Sequence, residues 1–136
     1  MTQLIPYLTI PGRTREALDF YKTCFGGEIL ALMTFGDMDP NAGDMANAVM
    51  HSHFKSDGVE IMISEGTSDD DSRPNSSVSL SLMMDDVAEQ ERIFNALSQG
   101  GSVRMPLNDV PWGARYGEVS DPFGIRWLLN CQNDGG

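Results

Sequence analysis

The chain has 136 residues, 40% of them apolar, with nine Lys plus Arg against twenty Asp plus Glu and a formal net charge of −11. That length and apolar share suffice for the core of one domain, or of two half-sized modules. The negative charge repels phosphate backbones and anionic lipid head groups, so nucleic acid and membrane are poor partners, and no apolar run approaches the roughly 20 residues of a membrane span.

The opening MTQLIPYLTIPGR lacks the basic start and apolar stretch of a secretion signal, so a cytoplasmic location is expected. Within it LIPYLTI reads as a short strand. TREALDFYKTCF then places Ala17, Leu18, Tyr21 and Phe25 at helical spacing behind a Thr14 cap, and Gly26 and Gly27 end the helix. EILALMTF is a second strand, FGDMDPNAGDMANA (35–48) a long loop, and VMHSHF and VEIMIS are two strands joined at the hairpin signal SDG. After the polar GTSDDDSRPNSS the order restarts: SVSLSLMM is a strand, VAEQERIFNALSQ an amphipathic helix, and SVRMPL, ARYGEVS and GIRWLLN three further strands. Cys24 and Cys131 are too few for a disulfide framework and stand in no C-x-x-C pair, so buried free thiols are expected.

The chain therefore reads βαβββ twice: a first module over 1–65, a polar linker over 66–77 and a second module over 78–131. Phe20 precedes Gly26-Gly27 by the interval at which Phe94 precedes Gly100-Gly101, an offset of 74, and Gly58 matches Gly124 at an offset of 66. The long loop 35–48 accounts for the difference. Two such units are too small to stand singly, and an α+β fold is expected in which their mixed sheets form a curved cleft with the helices outside. Exposed sheet edges make a homodimer the expected assembly.

Several motifs resemble the vicinal oxygen chelate (glyoxalase/bleomycin resistance/dioxygenase) superfamily, and within it the PhnB-like branch. They are Pro6-Tyr7-Leu8, F-Y-x-x-x-F-G-G from Phe20 to Gly27, F-G-D-M from Phe35 to Met38, Met50-His51, Trp112-Gly113, and D-P-F-G-x-x-W from Asp121 to Trp127. The resemblance covers residues 4 to 131. One departure is Ile125, where this branch often has histidine. In the metal-using members of the superfamily, ligands come from the first and fourth strands of each module. The resemblance places those positions at Ile5, Met62, Ser79 and Leu128, and the internal repeat pairs Ile5 with Ser79 and Met62 with Leu128. Zinc, iron, manganese and nickel need carboxylate, imidazole or thiolate donors. This set offers none, so neither metal nor cofactor is expected.

The only two histidines, His51 and His53, form an H-x-H on the third strand. If Asp57-Gly58 is a two-residue turn, His53 faces Met62, Phe54 faces Ile61 and His51 faces Ser64. Both imidazoles then share a face with Met62, while Phe54, Ile61 and Ile63 turn toward the first helix. Glu60 shares the histidines' face opposite Lys55, where a cross-strand ion pair is expected. The same parity adds Tyr7, Thr9, Ser79, Ser81, Met83, Arg126 and Asn130 to the open face, with Trp112, Tyr116 and Phe35 at its rim; Trp127 is expected in the core.

Two functions stay open. One is a metal-independent cleft that binds a small molecule through Tyr7, Thr9, His51, His53, Met62, Ser64, Ser79, Ser81, Trp112 and Arg126, as the resemblance to bleomycin-binding proteins implies. The other is an enzyme of lyase, isomerase or dioxygenase type with His51 or His53 as base or metal ligand. Methyl transfer to a demethylated ubiquinone is implied only by a name attached to this branch, and no glycine-rich nucleotide loop supports it.

Overall fold

The computed structural model describes residues 2–66 and 78–132. The linker expected at 66–77 lies, but for Gly66, outside the described residues. The chain divides between 73 and 74 into two compact units, each a four-stranded mixed sheet with a helix packed on one face.

In the first unit β1 (Tyr7–Thr9), α1 (Thr14–Phe25), β2 (Glu28–Thr34), β3 (Val49–Lys55) and β4 (Glu60–Ser64) form a sheet of order β1-β4-β3-β2. β1 runs parallel to β4, and the other pairs are antiparallel. Ala17, Leu18, Tyr21 and Cys24 bury one stripe of α1 against the inward residues Phe54, Ile61 and Ile63, as helical spacing on one element and a period of two on the other require. Thr14 does not cap this helix. It occupies the first helical position and donates its hydroxyl proton to the Ile10 carbonyl, while Arg13 takes the cap position without a side-chain bond. Nor is the segment after β2 wholly irregular. Phe35–Met38 is a short helix, α2, closed by a reciprocal box in which the Asp37 amide donates to the Thr34 hydroxyl and the Thr34 amide to the Asp37 carboxylate. A 3₁₀ turn follows at Gly43–Met45.

The second unit repeats the plan. β5 (Leu80–Met84), α3 (Val87–Ser98), β6 (Ser102–Val110), β7 (Ala114–Ser120) and β8 (Arg126–Gln132) give a sheet of order β5-β8-β7-β6, with β5 parallel to β8. Tyr7 pairs with Met62 and Ser81 with Leu128, so the offsets of 74 and 66 superpose the two ladders rung for rung. The repeated glycines have a backbone reason. A Cβ on Gly27 would collide with the Lys55 carbonyl and one on Gly101 with the Ser120 carbonyl, equivalent strand ends in the two units. Gly58 and Gly124 hold φ of 92° and 85° in the two matching turns.

α3 is capped by Asp86, whose carboxylate accepts from the Ala88 amide. Its Gln90 is fully buried and donates from Nε2 to the carbonyls of Arg115 and Leu129, fastening the helix to β7 and β8. Asp121, 3% exposed, accepts hydrogen bonds from the amides of Phe123 and Ile125 and from the indole N–H of Trp127, itself 1% exposed. The D-P-F-G-x-x-W motif is therefore a staple that shapes the turn into β8 and satisfies the core tryptophan. Both cysteines are buried free thiols.

Replacing Asp121 with Ala leaves three donors without their acceptor, two of them main-chain. Chemical denaturation followed by circular dichroism should show a loss of about 3 kcal/mol or more, the upper range for single substitutions.

Candidate functional site

The hairpin register is the expected one. Asp57 and Gly58 make the turn, the Ser56 amide donates to the Val59 carbonyl, and the ladder pairs Lys55 with Glu60, Phe54 with Ile61, His53 with Met62 and Ser52 with Ile63. Pleating then puts His51, His53, Glu60, Met62, Tyr7 and Thr9 on the sheet face turned away from α1. The face continues onto β2, where Met33 lies opposite His51 and Ala31 opposite His53. All but Tyr7 of the first six are half-buried, and Tyr7 is 51% exposed.

Both imidazoles have a fixed partner. The Tyr7 hydroxyl and His51 Nδ1 share a hydrogen bond of 3.1 Å, with the rings tilted at a centroid distance of 5.8 Å. His53 Nε2 lies 2.6 Å from Glu60 Oε2, the two side chains being 20% and 19% exposed. Glu60 also accepts from the Gln3 amide at 3.0 Å. The ion pair expected between Glu60 and Lys55 does not form. Glu60 stands across from Lys55 in the ladder, but its carboxylate turns along the open face to the diagonal His53, which offers a short, directional bond. Lys55 acts on it only through its charge.

The bond from His53 is the largest influence on Glu60 and holds its carboxyl below the usual range; partial burial opposes this, and Gln3 and the Lys55 charge assist it. An ionised Glu60 accepts only, so His53 donates to it from Nε2, and Nδ1 takes no part in this bond. Ser64 is 6% exposed, and its hydroxyl accepts from the Gly66 amide, so it closes the chain turn after β4.

In the second unit the face turned away from α3 bears Ser81 and Met83 from β5, Tyr116 and Glu118 from β7, and Arg126, Leu128 and Asn130 from β8. Ser79 sits half-buried just ahead of β5. Trp112, in the turn between β6 and β7, donates its indole N–H to Asn130 Oδ1 at 3.3 Å and meets Tyr116 edge-on. Tyr116 donates to Glu118 at 2.9 Å, and burial together with that carboxylate pushes its phenol up. No motif or spacing marks Glu118 or Gln3, or the role of Glu60 as partner of His53. Parity alone had put Glu60 on the right face; only its direction of bonding was hidden.

The donor set bears on metal chemistry. Ile5, Met62, Ser79 and Leu128 supply no imidazole, carboxylate or thiolate, so these residues do not fit the metal of the metal-using relatives. Among the described residues no three His, Cys, Asp or Glu converge. A separate cavity of about 530 Å³, lined by Phe25, Gly27, Glu28, Lys55, Ser56 and Asp57, sits at the hairpin turn and contains neither histidine.

Comparison with known proteins places this architecture. Residues 5–129 match the model of the Glyoxalase/Bleomycin resistance protein/Dioxygenase superfamily. The chain belongs to that superfamily. Protein YjdN of Escherichia coli K12 is 30% identical, with 93% of each chain covered. The crystal structure of Pseudomonas aeruginosa protein PA1353 is similar at a TM-score of 0.86 with 37% identity, covering 97% of this chain and 98% of that one. A Bacillus cereus structure described as a putative 3-demethylubiquinone-9 3-methyltransferase, PhnB protein, is similar at a TM-score of 0.78 with 26% identity, covering 96% and 99%. The chain is a superfamily member of the PhnB/YjdN type, as its motifs led us to expect. No helix among the described residues is long and apolar enough to cross a membrane.

The electrostatic assignment can be checked directly. A group whose carboxyl is depressed in the folded state adds stability above its unfolded value, and that contribution disappears as pH falls through the folded value. In a carbon-detected titration Glu60 should therefore protonate at lower pH than an ordinary glutamate. His53→Phe should move its midpoint up, and Gln3→Ala should move it up by less.

Proposed function

We propose that this protein binds a small molecule without a metal, using the open face of the first-unit sheet, with His51 and His53 as the polar anchors. The observation that carries this reading is that each imidazole is oriented by one partner, Tyr7 or Glu60, yet keeps its second ring nitrogen uncommitted to either. Preset polar groups among apolar and thioether neighbours such as Met33, Ala31 and Met62 are what orient a ligand at low entropic cost. Thr9 belongs to the same face. Ser81 and Arg126 belong to the open face of the second unit, with Trp112 in the turn before β7 and Ser79 just ahead of β5, and we propose that face as a separate contact surface.

Ring-proton spectra of the two histidines provide the test. A ligand should perturb both, and His51→Gln or His53→Gln should weaken its binding by about 0.5–1.5 kcal/mol, the size of an ordinary hydrogen bond, with little loss of fold stability. If either replacement unfolds the protein while no ligand perturbs either ring, the histidines are structural and the reading fails.

One observation favours a second reading, an enzyme. A carboxylate that accepts from His53 Nε2 leaves Nδ1 as the ring nitrogen available to act as a base, the arrangement used for proton abstraction. The same site serves both readings, and Glu60→Gln separates them: turnover would collapse in the enzyme, while a binder would keep most of its affinity.

We further propose a homodimer, supported by four edge strands, β1, β2, β5 and β6, two at the margins of each sheet. Light scattering at micromolar concentration should give twice the chain mass of 14.9 kDa, and a monomer mass refutes it.

A further inference from the structure

A tryptophan on a turn is either loosely held or built to present its ring. Trp112 is 61% exposed although two contacts fix it. Its N–H is spent on Asn130, a side chain only 8% exposed, and the Tyr116 ring stands against it at 70° and 5.7 Å. Tyr116 is held in turn by its hydroxyl bond to Glu118. With the polar edge satisfied and the ring immobilised, what remains toward solvent is apolar π surface whose ordering cost is met before any ligand arrives. Met83 stands across the β5–β8 ladder from Asn130, the residue that holds the indole, and is 70% exposed; a thioether is a soft, adaptable contact for aromatic rings.

Charge decides which rings suit the place. Along the ladder Tyr116 faces Asn130, Glu118 faces Leu128 and Ser120 faces Arg126. On this face the carboxylate is therefore two residues along from the Trp112–Asn130 contact and the guanidinium four. An indole face attracts cations through its quadrupole, and the chain's net charge of −11 concentrates them near the surface. We propose that Trp112 and Met83, with Glu118 as counter-charge, form a stacking platform for a planar aromatic cation. This goes beyond the small-molecule reading above, on a different surface, and rests on it for the expectation that a ligand binds at all.

The chain has two tryptophans, one exposed and one in the core, so their indole N–H resonances report separately. The intact protein is titrated with proflavine, a flat three-ring cation, and with anthracene-2-carboxylate, a flat three-ring anion, by calorimetry and ¹H–¹⁵N spectra. The expected result is saturable proflavine binding that shifts the Trp112 indole signal and leaves that of Trp127 in place. Binding of the anion should be at least tenfold weaker. Trp112→Leu should reduce proflavine affinity about tenfold or more, the scale of a stacking contact. Trp112→Phe, which keeps a ring, should retain part of it, and Glu118→Gln should weaken binding and flatten its salt dependence. No binding at millimolar proflavine, equal binding of both probes, an unmoved Trp112 signal at saturation, or full affinity in a folded Trp112→Leu protein overturns the proposal. The histidine signals in the same samples keep the two readings apart. Rings perturbed with Trp112 unmoved refute the platform alone, and Trp112 shifted with both rings unmoved supports the platform without bearing on the histidine anchors.

Discussion

The two-residue turn at Asp57-Gly58 sets the register on which the first unit depends. Because side chains alternate along a strand, a slip of one residue would send Phe54, Ile61 and Ile63 into solvent and bring His51 and His53 against α1. The glycine's φ of 92° and the Ser56–Val59 backbone bond hold the turn, and burial of those three large side chains makes any other register costly by several kcal/mol. What reaches the open face follows from that choice: two imidazoles, a carboxylate and a thioether, with a phenol added by the parallel strand β1.

The second unit reaches the same plan through buried polar fasteners. Gln90 reaches two main-chain carbonyls on neighbouring strands, and Asp121 gathers two amides and an indole N–H. Buried polar groups of this kind specify an arrangement because any displacement strands several partners at once in a low-dielectric interior. They lie on the helix side or in the turn. The open face is thereby left to side chains whose bonds run between neighbours on the sheet surface, such as Trp112 to Asn130 and Tyr116 to Glu118.

Equivalent rungs of the two ladders have diverged chemically. Where the first unit places His53 and Glu60, the second places Glu118 and Arg126; where the first has His51 and Tyr7, the second has Tyr116 and Ser81. One face is organised around oriented imidazoles and the other around an anchored indole. A duplicated scaffold keeps its glycines and core stripes, because backbone clearance and packing fix them in both copies. Its open faces are released from that constraint and free to specialise.

The repeat, the order of elements, the hairpin register and the face on which each histidine lies are legible in the residues alone. These follow from local rules: a period of two or 3.6, a glycine at a turn, an offset repeated twice. The residues also exclude the metal-binding set, since Ile5, Met62, Ser79 and Leu128 lack the donors whatever their geometry. The position of Thr14 inside the helix, the capped turn at Phe35–Met38 and the partner of Glu60 differ from what local spacing predicts. They emerge with the folded chain, because each turns on the direction of one hydrogen bond among several within reach. Gln3 lies 57 residues from Glu60 and Asn130 lies 18 from Trp112, and no periodicity carries information across such separations. Parity assigns a side chain to a face; its bonding partner there is chosen by distances that exist only once the strands have paired.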